Sequence, residues 1–284
     1  MNKNIYFFEP LKTILSENVL NLQNEQLDTF YEMWNLGFND SVVKNIKLEE
    51  HYIHQNQNVP SGAVLKGIDL PAWFGNSHHK KIVILGIDPL RSEKSFKKEN
   101  ANRNTDAIIG TPYAFHEKAS RENTCKSYWT FVEGLCSSGN FVYCTDIFKT
   151  YFINEVKNRR SYLDNEFTGE AATSIHSKIL MQELELIQPD VIIVFGKLAH
   201  SFLLNKNCPK IGQSIQNTKG TLQIKDKKIE VYTVLHLSKT PRGKSFKDFF
   251  ENNGFDSSNI NPEDRVQCAH AYIDILKREK IIEY

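Results

Sequence analysis

Near the start of the chain, apolar residues recur at roughly helical spacing. Phe8, Leu11, Ile14, Leu15, Val19, Leu20, Leu22, Leu27, Phe30 and Trp34 mark 8–35 as helical. The stretch 51–62, HYIHQNQNVPSG, is polar and irregular and reads as a loop or linker. From Lys80 onward the pattern changes, and short runs rich in Val and Ile alternate with longer amphipathic segments. The runs are 81–87 (KIVILGI), 141–147 (FVYCTDI), 190–196 (DVIIVFG) and 229–237 (IEVYTVLHL). Their apolar character is continuous rather than alternating, as in strands of a parallel sheet buried on both faces.

Between these runs the period becomes helical. Tyr128, Trp129, Phe131, Val132 and Leu135 predict a helix over 120–137. Ile175, Ile179, Leu180, Leu184 and Ile187 predict another over 171–187, which Pro189 stops. The segment 197–204 reads as a short helix, and 221–225 (TLQIK) as an extra strand turned back onto the fourth run. The last helix spans 262–280, with Pro262 suited to its first turn. Strand–helix alternation with buried strands predicts a three-layer α/β/α domain over 79–284. A central, mainly parallel four-stranded sheet is expected there, preceded by an N-terminal helical extension and linker over 1–78.

The chain has 284 residues, 40% of them hydrophobic, with 35 Lys+Arg against 34 Asp+Glu. That composition excludes collagen-like and disordered classes. The five cysteines, Cys125, Cys136, Cys144, Cys208 and Cys268, are odd in number and form no C-x-x-C pair. A disulfide framework and a four-cysteine metal or iron–sulfur site are therefore not expected, and the thiols read as reduced and mostly buried. The N-terminus, MNKNIYFFEPLKTI, does not read as a signal peptide, and no run approaches 18 apolar residues. A cytoplasmic protein with no membrane partner is expected.

In open parallel sheets, ligands bind beyond the carboxyl ends of the strands. There the chain places Gly86-Ile87-Asp88-Pro89-Leu90-Arg91, then Thr145-Asp146-Ile147-Phe148-Lys149, then Gly196-Lys197, then His236-Leu237-Ser238. Singly, each has a plain reading. Asp before Pro makes turns, Asp146 can cap a turn, and a His after a strand can be a hydrogen-bonded structural residue. In order, at the ends of successive strands, two carboxylates, a histidine and several cations point to a site.

This ordered set resembles the uracil-DNA glycosylase superfamily. The resemblance rests on Gly86-Ile87-Asp88-Pro89, Cys144-Thr145-Asp146, the segment PDVIIVFGKLA from Pro189 to Ala199, and His236-Leu237-Ser238. It covers about 200 residues from Lys80 on, and leaves the first 75 unexplained. It implies a monomeric enzyme without metal or redox cofactor that removes a base from single- or double-stranded DNA. Asp88 would stabilise the sugar cation and orient or deprotonate a water, and His236 would support the negative charge on the departing base. Gly86, Ile87, Pro89 and Ser238 would line the substrate, and Asp146 would read the base edge. Tyr113 and Phe115 are both candidates for the ring that stacks on the flipped base.

Three departures stand out. Asp146 occupies the place of the family's base-reading Asn. An ionised carboxylate only accepts hydrogen bonds, so it would oppose uracil O4, although it could accept from a cytosine-like amino group. The last motif reads HLS rather than HPS, and Leu90-Arg91 replaces an aromatic and a His.

The near-neutral net charge of +1 disfavours a tight, indiscriminate DNA coat. Along the chain, however, charge is uneven. The stretch 91–103 carries five cations, Arg91 among them, against Glu93 and Glu99; 149–160 carries four, Lys149 first, against Glu155. The stretch 239–247, which reads as a basic loop, carries Lys239, Arg242, Lys244 and Lys247 with no acid. The resemblance implies that 239–244 enters the DNA minor groove. Two other readings of the chain remain: a non-catalytic nucleic-acid- or protein-binding module on the same fold, and an enzyme acting on free nucleosides or nucleotides.

Overall fold

The computed structural model describes residues 6–32, 63–76, 79–87, 108–154, 159–160, 175–238 and 243–283. In chain order the elements begin with helices α1 (Phe8–Asn18) and α2 (Asn24–Glu32). Strands β1 (Ala63–Asp69), β2 (Ala72–Phe74), β3 (Lys81–Gly86) and β4 (Ile108–Gly110) follow. Next come helix α3 (Lys126–Ser137), strands β5 (Phe141–Asp146), β6 (Thr150–Asn154) and β7 (Arg159–Arg160), and helix α4 (Ile175–Ile187). Strand β8 (Val191–Phe195), helix α5 (Lys197–Leu204), strands β9 (Gly220–Ile224) and β10 (Lys227–Val234), and helices α6 (Gly243–Asn252) and α7 (Arg265–Arg278) complete the chain. Two compact units are built from discontinuous segments. One comprises Met1–Pro71, Asp88–Glu117 and Asp146–Leu186; the other comprises Ala72–Ile87, Lys118–Thr145 and Ile187–Tyr284.

The second unit holds a six-stranded sheet in the order β2-β5-β3-β8-β10-β9. Strands β3, β8 and β10 run parallel, in the registers Ile82↔Val191 and Glu230↔Val191. Phe141 N–H donates to Lys80 O at 2.9 Å, so the residues leading into β5 and β3 lie side by side and these strands also run parallel. All four runs expected from the sequence are therefore neighbouring parallel strands. The sheet is mixed, because antiparallel strands flank both edges: β2 on β5, with Ala72↔Cys144, and β9 on β10, with Ile224↔Lys227. The second of these edges is the extra strand expected at 221–225. Strands β5 and β8 are buried throughout, which explains their unbroken apolar spelling.

Helices α3 and α7 pack against each other in this unit. A Cβ at Gly134 would come within 2.8 Å of Ile273 Cγ1, so only glycine lets the two helices approach this closely here. Helix α7 starts later than expected, at Arg265. Asp264 caps it, accepting from Val266 N–H at 2.9 Å and Gln267 N–H at 3.2 Å, and Pro262 stays outside.

The stretch 239–247 departs from its reading as a basic loop. From Gly243 onward it is helix α6, which buries Phe246, Phe249 and Phe250 at helical spacing. Those rings surround Tyr272 of α7, at centroid distances of 6.2, 5.4 and 5.9 Å.

The first unit holds a sheet that the apolar runs did not announce, in the order β4-β1-β6-β7. Strand β1 pairs parallel with β4, with Asp69↔Gly110, and antiparallel with β6, with Ile68↔Thr150. Within the stretch expected to be helical over 8–35, the described residues form two helices, α1 and α2. Gln26 Oε1 accepts from Gln23 N–H at 2.9 Å, a side chain reaching back to start a new helix, and Leu20 and Leu22 are buried in the break. Lys12 of α1, 3% exposed, is held by Asp28 of α2 at 2.8 Å and by Glu9 at 2.9 Å. Residues 51–62, expected to be a linker, lie outside the described residues.

Candidate functional site

Strand β10 ends at Val234 and delivers Leu235-His236-Leu237-Ser238 beyond the carboxyl edge of the six-stranded sheet. Side chains from α7 and from the start of α3 hold this loop. Tyr272 Oη donates to Leu235 O at 3.1 Å, Ser127 Oγ to Leu237 O at 3.4 Å, and Arg265 Nε to Ser238 O at 3.0 Å. The Arg265 guanidinium also lies 4.3 Å from the Phe246 ring centroid, so its fork is fixed by packing as well as by hydrogen bonding. Carbonyls that an ordinary loop would give to water are thus satisfied by rigid helices, which limits where the His236 ring can go.

The His236 imidazole is half-buried. The Tyr128 ring stands edge-on to it at 5.2 Å, and the Phe195 ring at 6.1 Å. The Tyr128 hydroxyl oxygen is 2.5 Å from His236 Nδ1. Burial pushes the Tyr128 phenol well above its ordinary range, with Cys125 acting in the same sense and hydrogen bonds from Ser238 acting against it. The phenol is therefore a neutral hydroxyl over the physiological range.

The turn before α5 explains the glycine in PDVIIVFGKLA. Gly196 has φ +90 and ψ 160, a conformation essentially confined to glycine, and its N–H donates to Val234 O at 3.0 Å. This ties the end of β8 to the end of β10, one residue before the His236 loop begins.

In the first unit, four further sequence candidates, Tyr113, Phe115, Asp146 and Lys149, lie in segments at one end of the smaller sheet. Asp69 N–H donates to Lys149 O, and Leu70 N–H to Gly110 O, each at 2.9 Å. Segments 110–116 and 146–149 therefore flank the carboxyl end of β1. Asp146 is buried at 4% exposure. Tyr113 and Ala114 both have positive φ, 57° and 51°, a strained pair in a tight turn. That turn is braced by Thr111, whose Oγ1 accepts from His116 N–H at 3.2 Å and lies 3.1 Å from His116 Nδ1. Phe115 is 0% exposed and packs as a core aromatic, whereas Tyr113 is only half-buried, with its ring centroid 5.4 Å away.

Lys149 corrects the sequence reading. Expected among the DNA-contacting cations, it is 0% exposed. Its Nζ donates to Glu183 Oε2 and to Asp146 O, both at 2.8 Å, so its charge is spent inside the fold. Its backbone N–H donates to His176 Nδ1 at 3.4 Å. Glu183 and His176 were not recognised from the sequence, where they read as two polar residues of an amphipathic helix.

Among the other candidates, Gly86 is buried at the end of β3, Ile87 is half-buried, Ser238 follows His236, and Lys244 is exposed in the first turn of α6. Asp88, Pro89, Arg91, Lys239 and Arg242 lie outside the described residues.

A family model, the uracil DNA glycosylase superfamily, matches residues 72–253, more than half of the chain. The chain belongs to that superfamily. Its members are in general DNA glycosylase hydrolases, so superfamily membership supports a glycosylase type of function and DNA as the partner. The match takes in β2 through α6, including the His236 loop and the Gly196 turn. A search of curated proteins finds no match. No helix among the described residues is long and apolar enough to cross a membrane.

Proposed function

We propose that this superfamily member is an active DNA glycosylase, hydrolysing the N-glycosidic bond of an extruded damaged or deaminated base, uracil or a related base. The observation that carries the reading is His236, presented beyond the sheet on a loop whose carbonyls are anchored by Tyr272, Ser127 and Arg265. Rigid placement is what a group needs if it is to stabilise charge that exists only in the transition state.

As the bond between C1′ and the base nitrogen breaks, its electron pair leaves with the base and the sugar gains cationic character. His236 would donate a hydrogen bond to the departing base, and Asp88 would offset the sugar cation and accept the proton of the attacking water. Asp146 would read the base edge, favouring a base that presents an amino group. Tyr113, the candidate ring with accessible surface, would stack on the flipped base. Gly86, Ile87, Pro89 and Ser238 would line the substrate, and Arg91, Lys239, Arg242 and Lys244 would hold phosphates, giving salt-sensitive binding. The protein would act as a cytoplasmic monomer.

Oligonucleotides each carrying one candidate base, scored for alkali-labile abasic sites, test this reading. Base release by the wild type and its loss in Asp88→Asn are expected. Salt-sensitive DNA binding without release from any substrate would overturn it in favour of a binding module.

A further inference from the structure

The Tyr128 hydroxyl oxygen lies 2.5 Å from His236 Nδ1 and 3.3 Å from Nε2, so Nδ1 is its partner. A neutral imidazole carries one hydrogen, and the nitrogen that accepts a hydrogen bond is the one without it. A phenol has one hydrogen to give and lone pairs to receive. The Ser238 backbone N–H donates to that same oxygen and engages one lone pair. The short contact directs the phenol hydrogen at Nδ1. Tyr128 is well placed to hold it there. It is 6% exposed on α3, and its ring is packed edge-on to Phe195 at 5.3 Å.

We propose that Tyr128 is a positioning residue that donates its hydroxyl hydrogen to His236 Nδ1 and so fixes the imidazole in the tautomer carrying hydrogen on Nε2. Ser238, Tyr128 and His236 then form a directed chain of hydrogen bonds whose outer end is Nε2–H. The functional consequence rests on the reading of His236 as donor to the leaving base. The opposite tautomer would present a bare nitrogen to a developing anion, lone pair facing negative charge. The tautomer itself does not depend on that reading.

The test uses the full chain labelled with 15N-histidine, in long-range 1H–15N spectra recorded at a pH where the imidazoles are neutral. The His236 signals are identified by their loss in His236→Gln. The wild type should show a single tautomer with hydrogen on Nε2, and Tyr128→Phe, which keeps the ring, should show a mixture. Hydrogen on Nδ1, or a tautomer mixture in the wild type, would overturn the proposal even if the variant does not fold. An unchanged single tautomer in folded Tyr128→Phe would overturn it too. In base release, Tyr128→Phe should lower kcat by up to about 100-fold with KM little changed, as expected for loss of orientation. Absence of release by the wild type would count against the glycosylase reading alone, because the spectrum decides the tautomer independently.

Discussion

Lys149 Nζ sits 2.8 Å from Glu183 Oε2 with both side chains buried, and it donates at the same distance to the backbone carbonyl of Asp146. A buried ion pair contributes little net stability, yet breaking it from one side leaves a charge with no compensation. Lys149→Met should therefore destabilise the protein by ~3–5 kcal/mol in chemical denaturation. Adding Glu183→Leu should recover most of that loss. Recovery absent in the double variant would mean that the pair is not the origin of the cost.

The same lysine ties the base-reading candidate to the core, so Asp146 can be exchanged for its amide without changing shape. Asparagine can donate to O4 of uracil and accept from N3–H, whereas an ionised aspartate only accepts. Asp146→Asn should raise uracil release relative to wild type by about tenfold, the worth of one net hydrogen bond of ~1–1.5 kcal/mol. Release assays on uracil-containing and amino-bearing substrates check this. A fall in uracil release would contradict Asp146 as the reader of the base edge.

Cys268 on α7 is fully buried, and burial pushes its thiol up from 9.0 to about 11, with Arg265 opposing and Asp264 and Glu263 adding. A raised value in the fold means that the folded state holds the proton more tightly than the unfolded chain. The associated stabilisation is fully present below about 9 and is lost as pH rises towards about 11. The gap in unfolding free energy between wild type and Cys268→Ala should narrow across that window. A gap constant with pH would show that the thiol does not titrate as its burial requires.

Strands β3, β5 and β8 were legible because each is buried almost along its whole length and spelled mostly in apolar residues, and β10 through its buried last four residues, Val231 to Val234. The smaller sheet was not, since β4 has three residues and β7 two, too few to establish a period. Helix α6 was legible in principle. Phe246, Phe249 and Phe250 have helical spacing, but the cations of 239–247 drew the reading towards a loop. Among the candidate residues, His236 and Asp146 stood out through their places after apolar runs. Lys149 was misread because local charge says nothing about a partner 34 residues away on helix α4. Tyr128, Ser127, Arg265 and Tyr272 were similarly hidden, as the tertiary fold alone brings them to the His236 loop.

The central claim is that this superfamily member cleaves the N-glycosidic bond, and it is tested most directly by mass-spectrometric detection of the free base. Wild-type protein should release a free base from at least one oligonucleotide carrying uracil, hypoxanthine, xanthine, or a methylated or oxidised base. Asp88→Asn should do so at least about 100-fold more slowly. No free base from any of these substrates, or equal release by Asp88→Asn, would contradict it.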